Sequence, residues 1–342
     1  MRIFFYLPND SLNDATQHYV DLVEKAFVEK GFQVLIHYKL DFKFKSTDYF
    51  FVINIKDFIN LYVRNRSNRI IFWFQGLLSE EHLMMFDKTI PRQIKCLGFN
   101  FLERITLRKS FYSFYVSDYM RSYLKSKHSF PSSNYSIIPC YNKSLNQNLF
   151  INKQKRKASF VYAGGLFSWQ CFEQTIALYK EIENKNENAF FTVLTKQKEE
   201  AEKLLLEAEI KNFKILYVPL KDLEEELAKH KYGFMLREHN EVNSCATPTK
   251  MNTYLAVGLI PIYTNAVSAF NIHLQLGQFQ IKIDLNQTFF NSAIEIVKHD
   301  NLSIDYIEYF NVCKENFKGF YDDAYHISKI KSDLIENKIL RN

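Results

Sequence analysis

The chain has 342 residues, enough for two ordinary domains or one large α/β domain. Its 47% hydrophobic and 24% charged residues exclude a disordered chain and describe one that builds a core. The net charge of +6 suits an anionic small molecule or an anionic membrane surface, and is too weak and scattered for nucleic-acid binding.

The first apolar run, RIFFYL (2–7), reads as a buried strand. No signal-like apolar leader precedes it, and no run approaches the ~18 residues of a spanning helix. A cytoplasmic protein, at most peripheral to a membrane, is therefore expected. Asn9, Asp10, Asn13 and Asp14 follow this strand, either as polar caps of the next helix or as ligand contacts. Residues 14–30 place Tyr19, Leu22, Val23 and Phe27 on one helical face. Strands are predicted at 32–38, 49–55, 69–74 and 111–117, with a long helix over 94–110. Arg64, Arg66 and Arg69 form a basic cluster that reads as a solvated helix end or as a contact with lipid headgroups.

The polar, basic NKQKRKA (152–158) reads as an interdomain linker. Beyond it, strands are predicted at 159–165, 189–195, 213–218, 232–238, 259–264 and 279–283. Helices fall at 169–184, 197–209 and 220–230, and the stretch 303–337 is helical. Strand–helix alternation of this kind implies doubly wound parallel sheets. The expected organisation is an α/β protein with two Rossmann-like domains, 1–151 and 152–318, facing across a cleft, and residues 319–342 crossing back to the first. Five dispersed cysteines without a CxxC pair argue against disulfides or a zinc site and for a reducing compartment.

In open α/β sheets ligands sit at the carboxyl ends of strands, so those ends carry the search for chemistry. Gly164-Gly165 closes one strand before a helix, where glycines let a ligand approach the backbone or simply make a turn. Arg237-Glu238 ends another, with Asn243 shortly after. An arginine there suits bidentate pairing with phosphate, or a surface pairing with Glu238 or Glu241. His239 reads as a loop histidine. The third is SCATPTKMNTYLAVG (244–258): Thr247 suits an N-cap, Pro248 the first helical position and Gly258 the terminator. Glu or Gln is usual three residues after such a cap, yet Lys250 stands there, a cation opposing the helix dipole. A diphosphate would satisfy the free amides of Thr249 and Lys250 and offset that conflict.

YAGGLFSWQCFE (162–173), GFMLREHNEVNSCATPTKMNTYLAVGLIPI (233–262) and IIFWFQGLLSEEH (70–82) together resemble a GT-B glycosyltransferase, closest to family 4-like enzymes of bacterial surface-polysaccharide synthesis. The resemblance implies a nucleotide-diphosphate-sugar donor held by the second domain and no cofactor or metal. Arg237 and Lys250 match the cations that neutralise the diphosphate. Gly164, Gly165, Glu238, Asn243, Thr247, Pro248, Thr249 and Thr253 fall in the implied donor site. Gln75-Gly76 matches the strand end facing the donor sugar, with Glu80, Glu81 and Asn13 on the acceptor side. A glycan or lipid-linked acceptor at the inner face of the membrane is implied, with retention of configuration.

The chain departs from that pattern where two glutamates commonly stand eight residues apart: Cys245 and Thr253 occupy those positions. Gly165 and Gln170 likewise replace a basic pair. These departures keep two further readings open, a non-catalytic accessory protein of a partner transferase and a nucleotide-sugar epimerase.

Overall fold

A computed structural model describes residues 1–336 except 9, 10, 13, 42, 65–68, 86–88, 132, 133 and 153–156. The chain divides into two compact units. One comprises Met1–Asn142, Ser244–Thr247 and Asp322–Asn342; the other comprises Lys143–Asn243 and Pro248–Tyr321.

The first unit runs β1 (Arg2–Tyr6), α1 (Asp14–Glu29), β2 (Gln33–His37), β3 (Tyr49–Val52), α2 (Ile55–Arg64) and β4 (Arg69–Phe74), then α3 (Leu78–Met85), α4 (Ile90–Lys109), β5 (Tyr112–Tyr115), α5 (Asp118–His128) and β6 (Tyr135–Ile137). Its strands form one parallel sheet in the order β2-β1-β3-β4-β5-β6. Helices cover both faces, which is why YFFV and IIFWF are unbroken apolar runs rather than alternating ones. Phe4, Phe50, Phe72, Phe74 and Tyr115 pack into one aromatic core, with Phe74 and Tyr115 stacked at 5.1 Å.

Sequence patterning passes over β6 and α5, and sets no bounds for α2 and α3. β6 has only three residues, and α5 shows its two buried apolar residues, Met120 and Leu124, amid charged ones. The periodicity of the long helix predicts a start at 94, whereas Pro91 in its first turn sets the start at Ile90. Asn9, Asp10 and Asn13 lie outside the described residues, as does Arg66 of the basic cluster. Arg69 is turned onto the Tyr49 and Phe111 rings, 5.0 and 5.5 Å from their centroids, and Arg64 reaches the Leu40 carbonyl.

The second unit contains β7 (Ser159–Ala163), α6 (Phe172–Lys185), β8 (Phe190–Leu194), α7 (Lys198–Glu207), β9 (Phe213–Leu216), α8 (Leu223–Leu227) and β10 (Tyr232–Met235). Next come α9 (Glu241–Cys245), whose last two residues belong to the first unit, α10 (Thr249–Ala256), β11 (Ile260–Tyr263), α11 (Ser268–His273), β12 (Ile281–Lys282), α12 (Phe289–Asp300) and α13 (Tyr306–Phe317). The sheet is parallel in the order β12-β11-β10-β7-β8-β9, the Rossmann arrangement. Most of the expected linker, residues 153–156, lies outside the described residues. The turn before it, Asn148–Asn152, seats Phe150 5.0 Å from Tyr309.

The C-terminal helical stretch is two helices. α13 stays with the second unit, where the Tyr309 hydroxyl donates to the Leu259 carbonyl at 2.6 Å. α14 (Asp323–Glu336) belongs to the first unit and packs on α1 and β6. Lys331 pairs with Glu29, His18 with Asp323, and Ser136 donates to Asp333.

Each sheet has one point where successive strands diverge to opposite sides. In the first unit it lies between β1 and β3; in the second, between β7 and β10. Crevices at such points are where open α/β sheets take ligands.

Candidate functional site

In the second unit, Gly164-Gly165 follows β7 and Leu236-Arg237 follows β10, so both sit at the divergence point. Tyr254 of α10 ties that point together. Its hydroxyl accepts from the Ala163 amide at 3.1 Å and donates to the Phe234 carbonyl at 3.2 Å. Gly233 lets the ring approach, since a Cβ there would stand 2.5 Å from Tyr254. This clamp places the start of α10, and with it Lys250, beside the glycines. A Cβ on Gly164, whose φ is +148°, would lie 3.1 Å from Lys250 Nζ.

Lys250 Nζ donates to Gln170 Oε1 at 3.1 Å and sits 4.0 Å from the centroid of the Tyr162 ring. The Tyr162 hydroxyl in turn donates to the Gly165 carbonyl at 2.6 Å. Burial, and then repulsion from Arg237, holds the ammonium of Lys250 well below the usual lysine range. Arg237 is 6% exposed. Its Nη1 donates to the Trp169 carbonyl at 2.9 Å, while buried Nε has no hydrogen-bond partner. Burial lowers its pKa too. Among the described residues, no carboxylate forms an ion pair with either cation. Arg237 is buried and Lys250 half-buried, both with neutral partners, an arrangement that costs stability unless an anion joins it.

The remaining residues of the expected donor site divide by what they touch. Asn243 is 1% exposed and spends its amide on the protein: Nδ2 donates to the Glu238 carbonyl at 2.9 Å, and Oδ1 faces Arg237 Nη1 at 3.5 Å. It positions Arg237. Glu238 is exposed and accepts from Gln174 at 2.9 Å. Among the described residues Arg237 forms no ion pair with Glu238 or with Glu241. His239 contacts Asn265.

The cap expected at Thr247 is corrected. α10 begins at Thr249 with Pro248 as the flanking residue, and the Thr247 hydroxyl accepts from the Cys140 amide at 2.8 Å in the first unit. A long-range bond takes the oxygen that a local cap would use. Lys250 still lies in the first turn, so its conflict with the dipole stands. Thr253 donates its hydroxyl to the Thr249 carbonyl at 3.0 Å, leaving it only as an acceptor. Cys245 is fully buried in the first unit's core.

The first unit holds a pocket of about 580 Å³ at its own divergence point, lined by Pro8, Asn54, Asp57, Gln75, Gly76 and Glu81 together with aromatic side chains from β4. Gln75 Nε2 is buried without a partner. Glu80 and Glu81, adjacent in sequence, have separate fates. Glu80 accepts from Tyr123 at 2.6 Å and Ser79 at 2.7 Å and pairs with Lys127 at 2.7 Å. Burial opposes its ionisation, yet those partners hold it below the usual carboxylate range. Glu81 lines the pocket, accepts from the Leu77 amide at 3.0 Å, and is raised by burial. Asp57, absent from the sequence reading, is raised by burial as well. Ser117, just past β5, is committed within the first unit: its hydroxyl caps α5 through Met120 and donates to the Cys245 carbonyl.

No family model matches the sequence, and no curated protein matches it. Solved structures do. A glycosyltransferase from Rickettsia africae ESF-5 aligns with TM-score 0.68 at 10% identity over 100% of this chain and 99% of its own. Anabaena HepE in complex with UDP and glucose aligns at TM-score 0.61 and 11% identity, with 100% of both chains covered. A mutant of S. aureus TarM, in complex with fondaparinux, α-GlcNAc-glycerol and UDP, aligns at TM-score 0.63 and 10% identity over 86% of this chain. This chain spans 55% of TarM's length. The fold is thus the α/β, two-unit GT-B fold of glycosyltransferases.

Proposed function

We propose that the protein is a glycosyltransferase that takes its sugar from a nucleoside-diphosphate donor. The observation that carries this reading is buried Arg237 beside half-buried Lys250, with no ion-paired carboxylate among the described residues, at the divergence point of a Rossmann-type sheet. As the bond between the anomeric carbon and the diphosphate oxygen breaks, negative charge grows on the leaving diphosphate. Arg237, Lys250 and the amides at the start of α10 stabilise that charge, and no cofactor or metal is assigned. The reaction is retaining, and the acceptor is a glycan or lipid-linked sugar of cell-surface polysaccharide or lipopolysaccharide synthesis on the cytoplasmic side. Its hydroxyls meet Gln75, Asp57 and Glu81 in the first unit's pocket.

Calorimetry with UDP, the ligand of the HepE and TarM structures, tests the donor assignment. Binding to the full chain that exceeds UMP binding, and that falls by about two orders of magnitude or more in Arg237→Ala, is the expected result. A second reading, an accessory protein without catalysis, has support in Thr253 and Cys245. The threonine hydroxyl is committed to its own helix and the cysteine is buried, so neither grips a ribose as a carboxylate would. Failure of every nucleoside diphosphate to bind the intact protein would favour that reading. Acceptor-independent conversion of a nucleotide sugar, followed by NMR, would instead identify an epimerase.

A further inference from the structure

Helix α4 carries an exposed apolar stripe that the donor and acceptor sites leave unexplained. Ile90 is 75% exposed, Ile94 63%, Leu97 68% and Phe101 64%. At about 100° per residue the four fall within roughly 60° of one another, along about 17 Å of helix. The opposite face is the one that packs, burying Cys96, Glu103, Thr106 and Leu107. An ordinary surface helix has the reverse pattern, apolar inward and polar outward.

The charges on α4 are also sorted. Its single acid, Glu103, is drawn inward by His128 at 2.6 Å and Lys127 at 3.0 Å. Lys95, Arg104, Arg108 and Lys109 are exposed. Arg104 and Arg108 continue the line of the stripe toward the helix C-terminus. The outward face is therefore apolar in its first three turns, basic in its last two, and without an exposed acid. Apolar side chains flanked by Lys and Arg are what the headgroup–acyl boundary of an anionic bilayer accepts from a helix lying in its plane. No helix among the described residues is long and apolar enough to cross a membrane, so the contact is with one leaflet.

We infer that α4 is a membrane-docking helix: Ile90, Ile94, Leu97 and Phe101 enter the interface of an anionic leaflet while Arg104, Arg108 and Lys109 meet its phosphates. Charge complementarity selects this occupant. The inference is independent of sugar transfer, because it uses no residue of either candidate site.

Vesicle flotation of the full chain tests it, with phosphatidylglycerol-rich vesicles set against pure phosphatidylcholine. The wild-type protein is expected to float with the anionic vesicles alone, and less at high salt. Ile94→Ser/Leu97→Ser/Phe101→Ser should lower partitioning at least tenfold. Arg104→Gln/Arg108→Gln/Lys109→Gln should lower it on the order of a hundredfold on anionic vesicles. Leu97→Trp should show a blue-shifted emission when such vesicles are added. All six positions are solvent-exposed, and UDP calorimetry on each variant checks that the second unit is intact, which separates failure here from failure of the donor assignment. The inference is overturned if the wild type stays with the soluble fraction on both vesicles, or if the apolar variant floats like the wild type. A concentration-dependent dimer that the apolar variant abolishes, without vesicle binding, would assign the stripe to a second copy and overturn it as well.

Discussion

The two units place a recess at the same point of the same kind of sheet and equip it oppositely. The second unit's crevice holds Lys250 and Arg237 with aromatic and amide neighbours and no ion-paired carboxylate. The first unit's pocket holds Asp57 and Glu81, both raised by burial, beside the unpartnered Gln75 amide. One recess is short of negative charge; the other offers acceptors and a donor of the kind that bind hydroxyls. Architecture sets where a ligand can lie, and the residues just past the strand ends set which chemistry it must have.

The sharpest way to break that contrast is Arg237→Ala. Loss of a buried charged hydrogen-bonding group should weaken UDP binding by about two orders of magnitude or more, with circular dichroism unchanged. Equal affinity would mean that the crevice is not a diphosphate site.

Lys250→Met should separate binding from stability. It should weaken UDP binding yet raise the melting temperature by roughly 2 °C or less, because a half-buried cation without an ion-pair partner is gone. The linkage has a definite sign. With its folded pKa below the ordinary ~10.4, Lys250 binds fewer protons in the native state than unfolded, so stability rises with pH between those two values. A diphosphate needs the charged form, so wild-type affinity should decline as pH rises through the lowered value. The Met variant should be flat in both respects. Thermal melts and calorimetry across pH measure both.

Glu81→Gln probes the other recess. Burial raises the Glu81 carboxyl, so the native state holds that proton more tightly than the unfolded state. Wild-type stability should then fall as pH rises from about 4.3 toward the raised value. The Gln variant should lose that slope and keep the acceptor for the Leu77 amide. The smallest effect belongs to Gly76→Ala. Its Cβ would stand 2.2 Å from Glu81 Oε1, displacing a movable carboxylate from the Leu77 amide for about 1 kcal/mol or less. A melt resolves it.

What the sequence disclosed were features written locally. Strands buried on both faces read as apolar runs, glycines end β7, and a lysine sits in the helix turn that disfavours it. Gly164, Arg237 and Lys250 were legible for that reason. What it hid depends on partners far along the chain. Thr247 looks like a cap until the Cys140 amide, 107 residues away, takes its oxygen. Glu80 and Glu81 look equivalent until Lys127 and Tyr123 claim only the first. Asp57 carries no local signal and joins the pocket because β3 lies next to β1. The outward stripe of α4 has helical spacing in the sequence, but only burial shows which face is packed.

The placement of α14 also bears on synthesis. Ser136 and Asp333 are 197 residues apart in the chain, and every residue of the second unit lies between them. On the ribosome the second unit therefore emerges whole before α14 leaves the tunnel. The first unit, begun before the second, closes after it, its α1 face bare until α14 arrives.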